Sequence, residues 1–139
     1  MNISVFGLGY VGVVTAACLA KENHRVYGVD ISEEKVHLLN KGKSPIIEDE
    51  IESLVEDAVS NGLLTASITH EEALKESDLV FVCVGTPSRY NGSLDTFYVE
   101  QVCQTIAEYL FECDNRPTII IRSTMLPGSM NSIVSNVFR

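Results

Sequence analysis

The first thirty residues constrain this chain most. Asn2-Ile-Ser-Val-Phe6 is a short apolar run, Gly7-Leu-Gly9-Tyr-Val-Gly12 follows at once, an amphipathic segment comes next, and Asp30 closes a second apolar run. A strand, a glycine turn, a helix, a strand and an acid stand in the order that a dinucleotide site requires. Gly7 permits the tight turn out of the strand, Gly9 lets the backbone approach a pyrophosphate, and Gly12 lets the helix pack close to the sheet. The unpaired N–H groups and positive dipole end of that helix then face the phosphates. Asp30 lies 23 residues beyond Gly7, close to the spacing of about 20 expected for a ribose-binding acid. A glycine-rich strand-to-helix turn without a ligand is the alternative.

The 139 residues suit one domain that buries roughly two thirds of its unfolded surface. Hydrophobic residues make up 45% and charged residues 21%, a mix that suits a soluble globular fold. The net charge of -9 argues against nucleic acid as a partner, which needs a basic face. It leaves an anionic cofactor open, because amides at a helix N-terminus bind phosphate locally. No apolar run reaches the ~18 residues of a membrane span, so no membrane partner is expected. No basic segment precedes the first strand, so no signal peptide is expected and the cytoplasm is the expected location. Cys18, Cys83, Cys103 and Cys113 form no C-x-x-C pair and have no His at metal-ligand spacing, so neither a metal site nor a disulfide framework is expected. Cys18 and Cys103 fall on apolar helix faces and Cys83 in an apolar strand, where buried thiols act as small hydrophobes. His24, His37 and His70 read as solvated, without a catalytic role.

Strands are expected at 2–6, 25–29, 64–69, 79–84 and 118–121. A helix is expected at 10–22, with Val11, Val14, Thr15, Cys18 and Leu19 on its inner face, ended by Asn23-His24. Ser32 caps a second helix that runs to about Asn40. Ile51, Leu54, Val55, Ala58 and Val59 form a helical stripe that ends at Asn61-Gly62. A brief helix at 71–76 precedes a long one at 96–112, with Val99, Val102, Cys103, Ile106 and Leu110 facing inward. Residues 88–94 make a polar loop around Asn91-Gly92. Met130, Ile133, Val134, Val137 and Phe138 begin a last amphipathic helix, and the sequence stops at Arg139 inside that pattern, as a truncated domain would.

Alternating strands and helices predict an α/β fold: a Rossmann-type doubly wound parallel sheet with helices on both faces and strand order 3-2-1-4-5. Residues 7–12, Asp30, 85–87 and Ser123-Thr124 then converge at the carboxyl ends of the strands, where such sheets bind ligands. Asp30 can accept hydrogen bonds from both ribose hydroxyls and would repel a 2′-phosphate, which favours NAD over NADP; alternatively it only leads into the helix at Ser32. Lys35 either reaches back to ribose or phosphate or is a solvated helix lysine. Tyr10 and Val11 offer unpaired amides at the helix start, and their side chains can equally be packing. Thr86 and Thr124 either point into the crevice near the nicotinamide ribose or merely end their strands. Arg122 is a crevice cation or an edge residue that contacts a helix end.

Phe6-Gly-Leu-Gly-Tyr-Val-Gly12, Gly28-Val-Asp30, Lys35, Gly42-Lys-Ser-Pro45, Val82-Cys-Val-Gly-Thr-Pro-Ser88, Asn91-Gly-Ser-Leu-Asp95 and Arg122-Ser-Thr-Met-Leu-Pro-Gly128 together resemble the N-terminal domain of the UDP-glucose/GDP-mannose dehydrogenase family. The match spans nearly the whole chain in family order, and the last motifs look most like the GDP-mannose branch, with the UDP-glucose branch close behind. The resemblance implies that Tyr10, Val11, Asp30, Lys35, Thr86 and Thr124 contact NAD. It also implies that residues 1–139 are the NAD-binding domain, followed in the intact enzyme by a central helix and a catalytic domain. One departure is Glu48-Asp-Glu-Ile51, where the family usually carries Glu-Pro-Gly-Leu; it leaves the start of that helix, and any dimer contact there, open.

By the same resemblance, the family oxidises a sugar-nucleotide primary alcohol to a carboxylate in two hydride transfers to NAD, with a Cys thiolate holding the aldehyde-level intermediate. That Cys, and a Lys and an Asn that assist it, lie beyond residue 139, so this chain alone is expected to hold no catalytic residue and to be inactive. The intact enzyme is expected to be a homodimer or larger and to take GDP-mannose or UDP-glucose. Two other readings are a stand-alone NAD-binding module and another Rossmann enzyme, such as a hydroxyacid dehydrogenase or a methyltransferase. The G-x-G-x-x-G spacing and the Thr-Pro after the fourth strand fit a methyltransferase less well.

Overall fold

Five strands run parallel, β1 (Asn2–Phe6), β2 (Arg25–Val29), β3 (Leu64–Ser67), β4 (Leu79–Val82) and β5 (Thr118–Ile121), in the order β3-β2-β1-β4-β5. The structure is a computed structural model that describes residues 1–138. The connections carry α1 (Tyr10–Lys21), α2 (Glu33–Asn40), α3 (Ile51–Ser60), α4 (Glu71–Glu76) and α5 (Phe97–Phe111); a π turn over Met130–Val134 runs into α6 (Ser135–Val137). The expected strand order is the observed one. β1 pairs with β2 on one side and β4 on the other, so the chain reverses direction across the sheet beside β1. That reversal opens the crevice at the strand ends.

Alternation along β1 supplies two cores. Val5 joins Leu8, Val26, Val55 and Leu64 under α1 and α3, whereas Phe6 joins Leu74, Val80, Val82 and Ile106 under α4 and α5. Ser4 also faces α4, where its buried hydroxyl donates to the Ala73 carbonyl at 2.9 Å and meets the Ser77 hydroxyl. Among the described residues no helix is long and apolar enough to cross a membrane.

The inner face of α1 is only partly the expected one: Thr15 is buried and Val14 and Leu19 pack half-buried against the core, but the centre of the face lies elsewhere. Val13, Ala16, Ala17 and Ala20 form the buried stripe, with Gly12 and Thr15 beside them, while Val11 and Cys18 are exposed. Small side chains let α1 lie close against the sheet and α3, and that closeness outweighs the size of Val11 and Cys18. Two strands end early for a shared reason. β4 stops at Val82, opposite Phe6, because β1 turns away at Gly7 and leaves Cys83 and Val84 without a continuing partner strand. β3 stops at Ser67, opposite the last residue of β2. Cys83 is therefore buried just past a strand rather than inside one. The helix expected from Met130 opens as a π turn, with the Ser135 N–H donating to the Met130 carbonyl five residues back, and of its apolar residues only Val134 is fully buried. His70, expected in solvent, is half-buried and packs edge-on against Tyr109 at 5.8 Å.

The departure at 48–51 has a backbone consequence. Glu50 caps α3 in the left-handed region, φ 66, at the position that the resemblance pairs with glycine. An L side chain there costs about 1–2 kcal/mol, and glycine returns roughly 0.4–1 kcal/mol of that through a freer unfolded chain. Glu50→Gly should therefore stabilise the fold by about 0.5–1 kcal/mol in denaturant unfolding. An unchanged or lower midpoint would mean that Glu50 holds this conformation without a net penalty to the fold.

Candidate functional site

The three glycines at the head of the chain do different work. Gly7 takes φ 92, and its N–H donates to the Val29 carbonyl at 2.8 Å. A Cβ there would stand 2.9 Å from the Val84 nitrogen. A Cβ on Gly12 would lie 1.7 Å from the Gly7 carbonyl oxygen, so Gly12 lets α1 meet the turn itself, more tightly than it meets the sheet. A Cβ on Gly9 would meet no described atom within 4 Å. Gly9 is also the N-cap of α1, and its side chain offers no cap. The helix ladder opens with the Val13 N–H donating to the Gly9 carbonyl at 2.9 Å, so the amides of Tyr10, Val11 and Gly12 head the helix with no carbonyl behind them. Open space above Gly9 and these amides form a cradle for an anion.

Asp30 faces this cradle from the end of β2. Its side chain is 9% exposed; one oxygen accepts from the Leu8 N–H at 2.6 Å and the other from the Ser32 N–H at 2.9 Å. The carboxylate therefore braces the glycine turn and starts α2 while keeping lone pairs toward the cleft. The Ser32 hydroxyl then caps α2 by accepting from the Lys35 N–H. The Lys35 ammonium stands 3.7 Å from Asp30, and with 41% of its side chain exposed it contributes mainly direction of charge. Gly28 belongs to the same arrangement, because a Cβ there would collide with the buried Leu8 side chain at 2.9 Å.

A cleft of about 640 Å³ runs along the carboxyl ends of β1, β2 and β4, within the size usual for small-molecule sites. Gly7, Gly9, Asp30 and Lys35 line it. Tyr10 and Val11 follow the cleft-lining Gly9 at the start of α1, with exposed side chains outside the lining itself, and the Tyr10 hydroxyl is shared between the Ile47 carbonyl, at 2.8 Å, and the Glu48 carboxylate. Thr86 and Thr124 come together beside it. The Thr86 hydroxyl donates to the Thr124 carbonyl at 2.8 Å, so it clamps two strand ends to each other and does not point freely into the crevice. Arg122 is neither a crevice cation nor a helix-end contact, since its guanidinium meets Thr15 on the flank of α1.

Several lining residues escaped the sequence reading. Ile31, 90% exposed and directly after Asp30, offers an apolar wall, and Phe97, Tyr98, Gln101 and Thr105 form another along α5. Phe97, Gln101 and Thr105 recur at i, i+4 and i+8 beside the core stripe of α5, a second face that the periodicity could have shown. Burial raises the Cys83 thiol pKa, and it pushes Cys103 up to about 11, so both stay protonated and inert near neutral pH.

Fold and cleft together define a dinucleotide-binding domain of the dehydrogenase kind. The chain belongs to the UDP-glucose/GDP-mannose dehydrogenase family, whose NAD binding domain matches residues 1–139. It is 47% identical over 134 residues to GDP-mannose 6-dehydrogenase of Pseudomonas aeruginosa, an alignment that covers 96% of this chain and 31% of that enzyme. A UDP-glucose 6-dehydrogenase of Bacillus subtilis is 31% identical over 137 residues, covering 99% of this chain and 30% of that enzyme. The crystal structure of a ternary complex of the Pseudomonas aeruginosa GDP-mannose dehydrogenase superposes with a TM-score of 0.97 at 46% identity, over 99% of this chain and 32% of that one. The chain thus spans about a third of the length of these relatives.

Proposed function

We propose that this chain is the NAD-binding portion of a sugar-nucleotide 6-dehydrogenase that converts GDP-mannose to GDP-mannuronate with two NAD. The observation that carries the reading is the sorting of the glycines: added methyl groups at Gly7 and Gly12 strike the protein, and one at Gly9 strikes nothing described. The amides of Tyr10 and Val11 would hold the pyrophosphate, Asp30 with Lys35 the adenosine ribose, and the Thr86–Thr124 pair would border the nicotinamide end. Bound NAD supplies the hydride acceptor; the residues of this chain bind and orient it. The residues that work on the sugar come from the part of the enzyme beyond residue 139, so the chain binds cofactor without turnover. Its higher identity with GDP-mannose 6-dehydrogenase than with the UDP-glucose enzyme supports the choice of sugar nucleotide, and UDP-glucose is the second reading. The intact enzyme works in the cytoplasm as a homodimer or larger assembly, without nucleic-acid or membrane partners.

Calorimetric titration of the chain with NAD and with NADP tests this. NAD should bind, and NADP should bind at least ~10-fold more weakly, because the 2′-phosphate would face the Asp30 carboxylate. Equal affinities, or no heat with NAD from a folded chain, would overturn the reading.

A further inference from the structure

Arg122 stands one residue past β5, where its N–H still donates to the Val82 carbonyl at 2.8 Å. Its Nη1 donates to the Thr15 hydroxyl oxygen at 2.6 Å, on a residue 107 positions earlier in the chain. Thr15 is only 6% exposed, and its hydroxyl donates in turn to the Val11 carbonyl at 2.6 Å. The guanidinium passes near enough to the Cys83 thiol to pull its pKa down against the effect of burial. A chain of hydrogen bonds therefore runs from the end of β5, past the end of β4, to the first turn of α1. The buried stripe of Val13, Ala16, Ala17 and Ala20 seats α1 along its length, and the Gly7–Gly12 contact sets how closely its start approaches the turn. Apolar packing has little directionality, and a hydrogen bond fixes the rotation of the helix more narrowly. Thr15 and Val11 lie one above the other on one flank of the helix, so a grip on Thr15 opposes that rotation.

We propose that Arg122 is a positioning residue that holds the first turn of α1, and so the amides of Tyr10, Val11 and Gly12, in register for a pyrophosphate. This rests on the reading of that helix end as the phosphate site. The Arg122 side chain is exposed while the Thr15 hydroxyl is buried, and a hydrogen bond with one charged partner is still stronger than a neutral one, so its loss is felt by the helix it anchors.

The test measures binding of NAD, ADP and adenosine to the chain by NMR shift titration, with Arg122→Met, Thr15→Val, Thr15→Ser and the Arg122→Met/Thr15→Val pair. Arg122→Met and Thr15→Val should each weaken NAD and ADP about 10-fold and leave adenosine, which has no phosphate, within about two-fold. Thr15→Ser, which keeps the hydroxyl, should retain the affinity of the unaltered chain. The double variant should be no weaker than either single one, because both break the same link. If Arg122→Met does not fold, the contrast between Thr15→Val and Thr15→Ser decides. Unchanged NAD and ADP affinity in folded variants overturns the proposal. So does a loss in Arg122→Met that Thr15→Val does not share, since the guanidinium would then act on phosphate by its own charge. Failure of the unaltered chain to bind NAD or ADP overturns the underlying reading of the site, and this proposal with it.

Discussion

Gly12→Ala should unfold a large part of this domain's stability, and Gly9→Ala, three residues away, should leave it intact. The new methyl at residue 12 would sit 1.7 Å from the Gly7 carbonyl oxygen, a backbone atom that cannot swing aside. Relief requires α1 to lift off the turn, at a cost of about 3 kcal/mol or more from a total of roughly 5–15. For a domain of this size that is a fall of about 10 °C in Tm, read by calorimetry. Gly9 has φ -82, which alanine adopts freely, and a methyl there meets no described atom within 4 Å. Gly9→Ala should stay within about 0.5 kcal/mol of the unaltered chain yet lose NAD affinity by about 100-fold, because the methyl fills the space a phosphate needs. If Gly9→Ala binds NAD normally, the cradle has been misassigned.

The second large effect falls on Asp30. Its carboxylate is the acceptor for the amide of Leu8, a fully buried residue, and for the amide of Ser32 at the start of α2. Asp30→Ala strands the Leu8 N–H and loosens the cap of α2, for about 2–4 kcal/mol of stability in denaturant unfolding. NAD affinity should fall by about 100-fold or more, from lost ribose contacts and a slackened turn together. Asp30→Asn separates the two effects. Its single carbonyl oxygen can still serve Leu8, so stability should recover by more than half while NAD binding stays weak. An Asp30→Ala chain as stable as the parent would show that the brace is not what holds the turn.

Much of this was readable in advance where punctuation is chemical. Polar and Pro neighbours mark the bounds of β2 (Asn23-His24 and Asp30) and β5 (Pro117 and Arg122-Ser123), and Asn23, which follows the end of α1, takes φ 63, in the left-handed region that asparagine tolerates. Strand order followed from handedness and the reversal beside β1. What escaped depends on neighbours far away in sequence. β4 looked longer than it is because nothing in Leu79–Val82 and the two residues after it records where β1 ends. The buried stripe of α1 is made of alanines, and a search for large apolar residues passes over them. The sequence marks Asp30 as a ribose acid but not as the acceptor for Leu8, and nothing in it shows that the Thr86 hydroxyl is taken by Thr124. In the cleft, Ile31 and the second face of α5 carried no fingerprint that separates a ligand wall from a solvated helix.

The place of β1 has a consequence during synthesis. β1, the earliest of the five described strands, lies at their middle, with β2 on one flank and β4 on the other. The β2 flank can close once Val29 has left the ribosome, but β4 begins at Leu79, 50 residues later. At about 5–20 residues per second, roughly 3–10 s pass with the other edge of β1 bare. That edge is an apolar strand, able to pair with any extended segment it meets. Slow codons placed between β2 and β4 should therefore prolong the exposure of that edge and lower soluble yield, measured against the same chain with fast synonymous codons there.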